Sequence, residues 1–245
     1  MGRLDFLCDM ARAVADIVLP RECIVCGRRL GLDERHLCLS CMADLPLTRF
    51  CETQHNPMAD KFNARIRPNI PDGVEEAYAW AAALLYYNSS SAFREIPKAL
   101  KYGGNLSAGR WFADLLGASL AGCPWIADAD MVVPVPLHWR RRRSRGFNQA
   151  EVIARRVAMA LGARCEPGLL RRVRSTRSQA RLGMEAKAAN VSGAFKAMRV
   201  PEARHILLID DTFTTGSTLA ECHRALRQVY PPKVRISVAT LSYVG

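Results

Sequence analysis

The sequence predicts an α/β protein, with a mainly parallel sheet flanked by helices and a small metal-binding ribbon module before it. Short, uninterrupted apolar runs are typical of buried parallel strands, and here they are followed by a polar loop and a segment with helical spacing. This alternation favours parallel pairing of the strands. Two Cys-x-x-Cys pairs near the N-terminus predict the ribbon. We expect a helix and ribbon over 1–51, a linker over 52–74 and the α/β domain over 75–245.

Length and composition indicate how many domains the chain can form and which chemical groups it can bind. A chain of 245 residues, 49% of them hydrophobic, is long enough for one domain with a real core and a small module. The net charge is +12, and the stretch from His138 to Leu182 holds thirteen arginines against two glutamates, a net charge of +11. Such a basic stretch favours binding to the phosphate groups of a nucleotide, a diphosphate or a nucleic acid. The alternative is a solvated basic surface.

The N-terminal stretch has the spacing of an amphipathic helix that ends at Pro20. Its apolar residues recur at helical intervals, and charged residues interrupt any long apolar run. The sequence therefore predicts neither a secretory segment nor a membrane span, and we expect a cytoplasmic protein.

Four cysteines have the spacing of a structural zinc site. Two Cys-x-x-Cys pairs are separated by eleven residues: Cys23, Cys26, Cys38 and Cys41. Four thiolates suit a closed tetrahedral zinc site with no open position for catalysis. Two disulfides are the alternative, which a reducing cytosol disfavours. We interpret the other helical or apolar cysteines as small core residues: Cys8, Cys123, Cys165 and Cys222.

The remaining elements follow in order along the chain. Residues 52–73 are polar, carry three prolines and show no periodicity, so they are interpreted as a linker. Apolar runs predict strands, and helical spacing predicts the helices between them. The predicted strands lie within 77–87, 131–137, 206–209 and 236–241, and the predicted helices span 92–102, 107–120, 150–161 and 219–229.

The strand at 206–209 leads into the most informative stretch of the sequence. Two carboxylates, Asp210 and Asp211, stand at its C-terminal end, where ligands of open α/β sheets gather. A hydroxyl-rich loop with one glycine follows: Thr214, Thr215, Gly216, Ser217 and Thr218. Its N–H groups, its hydroxyls and the N-terminus of the next helix suit a phosphate, and the acidic pair would accept hydrogen bonds from ribose hydroxyls. The alternative is a buried strand followed by a simply capped helix.

This stretch resembles the 5-phosphoribosyl-1-diphosphate (PRPP) signature of type I phosphoribosyltransferases. The resemblance implies a site for PRPP with Mg²⁺ and a diphosphate loop after the strand at 131–137. The residues of that loop would be Pro136, Leu137, His138, Arg145 and Gly146. It also implies that residues 171–195 form a mobile hood that closes over the substrate. Arginines in these two stretches would contact a diphosphate or nucleic acid: Arg140, Arg141, Arg142, Arg143, Arg177 and Arg181.

The order of parts along the chain is similar to that of the competence-protein F family. A cysteine ribbon is followed by Leu-Lys-Tyr-Gly-Gly, then Pro-Val-Pro-Leu and Arg-Gly-Phe-Asn-Gln, then Arg-x-x-x-Gln and the PRPP signature. The resemblance implies a phosphoribosyltransferase-like protein with a role in DNA uptake and natural transformation. It further implies incoming single-stranded DNA and competence or DNA-processing proteins as partners.

Two functions of different classes remain open at this point. The first is a transferase that moves the 5-phosphoribosyl group from PRPP to an unidentified base or amine. The second is a module that keeps the phosphate pocket and holds single-stranded DNA. Purine-salvage transferases carry an Asp where this chain has Thr214, and a threonine hydroxyl is no general base near pH 7. Transfer to a 6-oxopurine is therefore not expected.

Overall fold

The centre of the fold is a parallel sheet built from the predicted apolar runs. The computed structural model describes residues 20–102, 105–137, 143, 146–173 and 193–245, and of residues 100–102 only the backbone. Its seven strands are β1 (Ala81–Tyr87), β2 (Met131–Pro134), β3 (Arg164–Cys165), β4 (Leu170–Arg172), β5 (Phe195–Ala197), β6 (His205–Phe213) and β7 (Arg235–Val244). Its α-helices are α1 (Leu39–Ala43), α2 (Pro57–Ile66), α3 (Glu95–Tyr102), α4 (Leu106–Ala121), α5 (Gln149–Leu161) and α6 (Ser217–Arg227).

Five strands pair in the order β1-β7-β6-β2-β3, and every pairing is parallel. The β2 and β6 side chains that form the centre are inaccessible, as expected for strands covered on both faces. The crossovers β2-α5-β3 and β6-α6-β7 run in opposite directions across the sheet, so right-handed connections place α5 and α6 on opposite faces. The predicted α/β class with a mainly parallel sheet is confirmed.

Residues interpreted as a linker form a helix instead. Asn56 caps α2 by accepting a hydrogen bond from Ala59 N at 2.9 Å, and Pro57 occupies the first turn. The three prolines predict breaks in regular structure, but proline at the first helical position needs no N–H partner and favours the start of a helix. Phe62 and Ile66 are buried against the rest of the protein. The segment 52–74 is thus not structureless, and the proposed domain boundaries stay a prediction.

The chain that leaves the ribbon covers one edge of the sheet. Thr48 N donates to Leu84 O at 3.0 Å, and Tyr86 N donates to Pro46 O at 2.8 Å. This short antiparallel contact occupies the outer side of β1, which would otherwise be an open edge. The ribbon module is therefore joined to the sheet by backbone hydrogen bonds as well as by the covalent chain.

Two predictions about the ends and loops lie outside the described residues. They are the N-terminal amphipathic helix before Pro20 and the glycines of the Leu-Lys-Tyr-Gly-Gly stretch, 103–104. Across the described residues, every helix is too short or too polar to cross a membrane.

Candidate functional site

The acidic pair lies inside the last part of β6. This strand runs to Phe213, four residues beyond the predicted end, because β7 continues to pair with it. The other neighbour stops earlier, since the β2–β6 register ends with Pro134 opposite Ile209. Asp210 and Asp211 therefore lie at the carboxyl edge of the sheet, partly accessible, with Asp211 N donating to Asp210 Oδ1 at 2.8 Å. Two carboxylates at this edge suit a ribose or a hydrated Mg²⁺ that keeps most of its other ligands.

The loop after β6 presents hydroxyl groups at the N-terminus of α6. Thr215 Oγ1 and Ser217 Oγ lie 2.9 Å apart, and Ser217 N points to Thr215 Oγ1 at 3.5 Å. Gly216 has φ of +72°, a left-handed conformation that favours glycine. Thr214 is exposed at the mouth of the loop, and Thr218 is partly buried in the first turn of α6. Hydroxyls and the N–H groups of a helix N-terminus match the chemistry of a bound phosphate.

A cleft of about 570 Å³ opens in front of this loop. Thr214, Thr215 and Ser217 line one side, and Lys61 and Arg65 of α2 line the other. The volume is in the ordinary range for a small-molecule site.

Sequence reasoning missed the α2 side of the cleft because it interpreted 52–74 as a linker. Asn56 followed by Pro57 was a usable helix-start signal, and Met58, Phe62 and Ile66 recur at the spacing of one helical face.

The predicted diphosphate loop starts at the same edge of the sheet. Val135 N donates to Ile209 O at 2.8 Å, so Pro136 and Leu137 leave the sheet beside β6. Asn148 Nδ2 holds this end of β2 by donating to Val135 O at 3.0 Å. His138 and Arg145 lie outside the described residues, and Gly146 is exposed with φ of +79°.

One buried polar atom lies at the end of this loop. The side chain of Gln149 is 2% exposed, and its Nε2 donor has no acceptor in the part of the chain that the structure describes. A buried donor without an acceptor is costly. The unsatisfied donor is consistent with a stretch that binds an acceptor-rich group such as a diphosphate.

The proposed hood is described only at its two ends. There β4 and β5 form an antiparallel pair, and Gly193 N donates to Glu221 Oε2 of α6 at 3.0 Å. The Arg172 guanidinium lies over the Phe195 ring, 5.4 Å from its centroid. Both ends are therefore fixed beside the helix that carries the phosphate loop. Of the six arginines assigned to phosphate or DNA contacts, Arg143 is exposed, and the others lie outside the described residues: Arg140, Arg141, Arg142, Arg177 and Arg181.

The four ribbon cysteines converge as predicted. Their Sγ atoms all lie within 4.8 Å of one another, and Cys26 Sγ is 3.7 Å from Cys38 Sγ. A tetrahedral zinc site with Zn–S bonds of about 2.3 Å requires S···S distances of about 3.8 Å. Burial raises the pKa of the Cys23 thiol, but backbone N–H groups of Cys26, Cys38 and Val25 bring it down to about 6. This favours a thiolate, which is the form that binds metal.

The cluster supports a structural zinc ion rather than two disulfides. All eight cysteines of the described chain are free, and Cys23, Cys26, Cys38 and Cys41 are the one group of three or more potential metal ligands found there. Four cysteine ligands leave zinc no open position for a substrate.

Comparisons with known proteins agree with the ribbon and with the predicted family resemblance. Residues 14–66 match a family model described as a double zinc ribbon domain. A "DNA utilization protein YhgH" of Salmonella typhi is 36% identical over 97 residues, which are 40% of this chain and 43% of that protein. The protein of that name from Escherichia coli (strain K12) is 34% identical over 97 residues, again 40% of this chain and 43% of that protein. "Competence protein F" of Haemophilus influenzae is 31% identical over 110 residues, 44% of this chain and 48% of that protein.

These matches confirm the resemblance to competence protein F as partial homology. The chain spans less than half the length of the curated relatives it matches. Together with the double zinc ribbon match and the four-cysteine cluster, they support the predicted N-terminal ribbon and the predicted resemblance to competence protein F.

Proposed function

We propose that the chain binds PRPP, or a phosphoribosyl nucleotide, together with Mg²⁺ at the carboxyl end of β6. The observation that carries the proposal is the succession of the acidic pair and the hydroxyl loop at the carboxyl edge of the sheet, with a cleft that borders the loop. Each part matches a different portion of the ligand. The carboxylates of Asp210 and Asp211 accept hydrogen bonds from ribose hydroxyls, and the loop at 214–218 donates to the 5-phosphate.

Magnesium would neutralise the diphosphate portion of the ligand when bound. Because Mg²⁺ in proteins keeps many water and phosphate ligands, it would need few protein ligands here, and Asp210 and Asp211 would be the residues that hold it. Pro136 and Leu137 leave the sheet beside β6, and the buried Gln149 amide belongs to the same stretch. This arrangement supports a diphosphate position next to the ribose position.

The biological role that we propose is DNA uptake and natural transformation, with incoming single-stranded DNA and competence or DNA-processing proteins as partners. Support comes from the names of the relatives, which refer to DNA utilization and to competence. It also comes from the net charge of +11 between His138 and Leu182. Backbone phosphates neutralised by arginine contribute affinity without sequence preference.

The alternative function is active transfer of the phosphoribosyl group to an unidentified base or amine. The ends of the hood favour it, since the Gly193–Glu221 hydrogen bond holds one end beside α6 and the β4–β5 pairing joins the other end to it. A covering segment would exclude water from the reacting carbon, which water would otherwise capture. Thr214 occupies the position of the purine-type general base, so an acceptor would have to lose its proton to another group.

Isothermal titration with PRPP in the presence of Mg²⁺ tests the binding proposal, and the same titration with excess chelator of Mg²⁺ tests the metal. We expect saturable binding with Mg²⁺ and much weaker binding without it. A diphosphate-release screen over bases and amines separates the two functions. Release with one acceptor supports the transferase, whereas binding without release supports the module.

A further inference from the structure

We propose that Lys61 and Arg65 of α2 form a second wall of the phosphate site, so that the 5-phosphate of the ligand is held between α2 and the loop at 214–218. The inference rests on the proposed function, because it takes the ligand to be a phosphoribosyl compound. It adds two specificity-determining residues from the N-terminal part of the chain, which the PRPP signature does not include.

The backbone of α2 is fixed in place at this position. The Phe62 ring packs edge-on against His223 of α6, with ring centroids 6.0 Å apart, and both side chains are buried. Asn63 Nδ2 donates to Ala79 O at 2.9 Å and ties α2 to the chain entering β1. Residues 61 and 65 are one helical turn apart and share one face of α2. That face lines the cleft opposite the hydroxyl loop.

The two basic side chains have no counter-ion in the described chain. No described carboxylate lies within ion-pair distance of Lys61 Nζ or the Arg65 guanidinium. Lys61 Nζ instead lies 5.0 Å from the centroid of the Tyr243 ring, at the C-terminal end of β7. The acidic side chain that does line the cleft, Glu221, is already engaged, since it accepts from Arg224 Nη2 at 2.8 Å and from Gly193 N.

Two positive charges and a set of hydroxyl donors therefore face one another across the cleft. A phosphomonoester, which carries close to two negative charges at neutral pH, is the chemical group that satisfies both walls. A guanidinium matches phosphate geometry with paired N–H groups, and an ammonium adds a compact charge. A neutral sugar would leave both cations without a counter-ion, so the cleft selects for the phosphorylated form.

The position of α2 gives the stretch that matches the double zinc ribbon model a part in ligand binding. Residues 14–66 match the double zinc ribbon model, and α2 is the last helix of that stretch. The matched stretch is then not only a structural appendage, because its final helix completes the site. Bound ligand would bridge α2 and α6 and stabilise their contact by mass action.

The test is a titration of the full chain and three single variants, Lys61→Ala, Arg65→Ala and Arg67→Ala, with PRPP and with ribose 5-phosphate. Arg67 is the matched control, since it is exposed on the next turn of the chain and does not line the cleft. Loss of one charge-assisted contact is expected to weaken both ligands by about tenfold, about 1.4 kcal/mol, for Lys61→Ala and for Arg65→Ala. Arg67→Ala is expected to stay within about twofold of the parent, as suits a residue outside the cleft.

The outcomes separate this inference from the proposed function. If PRPP binds the parent chain and the two cleft variants equally well, the second wall is contradicted and the proposed function stands. If the parent chain binds ribose 5-phosphate but not PRPP, and the two cleft variants no longer bind ribose 5-phosphate, the second wall stands and the PRPP proposal fails. If neither ligand binds the parent chain, both are contradicted. An equal loss in Arg67→Ala would indicate a general charge effect and would also overturn the inference.

Discussion

The ring of Phe213 lies where a side chain at position 216 would have to be. A Cβ atom added to Gly216 would fall 2.7 Å from Phe213 Cζ, closer than real Cβ contacts come. Phe213, the last residue of β6, thus packs directly against Gly216, the loop residue that precedes α6. This contact, together with the φ of +72° at Gly216, fixes the course of the phosphate loop.

Gly216→Ala should therefore distort the loop and destabilise the fold. We expect the free energy of unfolding to fall by about 1–3 kcal/mol, because the new methyl group overpacks against a buried ring. Gly162→Ala is the matched control, since Gly162 also has a positive φ, +64°, but no atom would lie within 4 Å of its Cβ. The control should lose only about 1 kcal/mol from backbone strain. Urea unfolding measures both, and equal losses would show that the Phe213 ring moves aside at no cost.

Zinc removal should unfold the ribbon and leave the sheet largely intact. We expect one tightly bound zinc per chain, and we expect a strong chelator to raise hydrogen exchange across residues 20–50, because metal binding and folding are coupled in such sites. Cys38→Ser should have the same effect. Cys165→Ser is the control, since Cys165 lies in β3, away from the cluster. Purified protein without zinc, with the four cysteines paired as disulfides, would contradict this account.

Stability should fall as the pH drops below about 6.5, partly through His205. Its Nδ1 lies 2.8 Å from Asp128 Oδ1 and its Nε2 2.8 Å from Ser237 Oγ. Burial lowers the pKa of His205, and nearby Arg235 lowers it too, while Asp128 and Asp130 raise it. The folded-state pKa therefore lies below the unfolded value of about 6.5, so the unfolded chain binds more protons as the pH falls. The stabilisation is complete above that pH and is lost below it.

Urea midpoints between pH 8 and pH 5 measure this effect. His205→Gln should cost about 1–3 kcal/mol at pH 8, because it disturbs a buried hydrogen-bonded group, and should flatten the pH dependence. His55→Gln is the control, since His55 is exposed. A pH profile unchanged by His205→Gln would assign the acid sensitivity to other groups. The buried His223, whose pKa burial also lowers, is the next candidate.

Single-stranded DNA binding should depend steeply on salt if phosphates carry the affinity. Counterion release predicts a fall of about 0.7 in log K per log salt for each phosphate neutralised on a single strand. Substituting residues 140–143 by alanine should flatten the slope by about one phosphate for each arginine in contact. Fluorescence anisotropy with a labelled oligonucleotide, with and without PRPP, makes the measurement. No binding at low salt would end the DNA hypothesis, and complete competition by PRPP would place the strand in the pocket.

The sequence predicted those parts of the fold that local pattern determines. The runs at 131–134 and 206–209 are continuous and apolar, and strands buried on both faces need little else to be recognised. The carboxylates at the end of β6 and the hydroxyls and glycine that follow it likewise lie in one contiguous stretch. The four cysteines were predictable because the geometry of zinc constrains their spacing.

Tertiary contacts determined what the sequence could not predict. The continuation of β6 to Phe213 depends on pairing with β7, whose register is a long-range property. The α2 wall of the cleft depends on how Phe62 packs against α6, and no local pattern places Lys61 opposite Thr215. The helix itself was recognisable from its Asn-Pro start, but the polar residues around it obscured the signal.

The most direct test of the central claim is PRPP binding by a chain in which the acidic pair is neutralised. Asp210→Asn combined with Asp211→Asn should reduce the affinity for Mg²⁺-PRPP by roughly 100-fold or more, because two charge-assisted hydrogen bonds to ribose hydroxyls are weakened. Asp72→Asn combined with Glu75→Gln removes two exposed carboxylates that precede β1 and do not lie at the carboxyl end of β6, and this variant should bind within about twofold of the parent. Circular dichroism and the urea midpoint establish that each variant is folded. A folded Asp210/Asp211 double variant with unchanged PRPP affinity would contradict the account and would indicate that the two carboxylates have only a structural role.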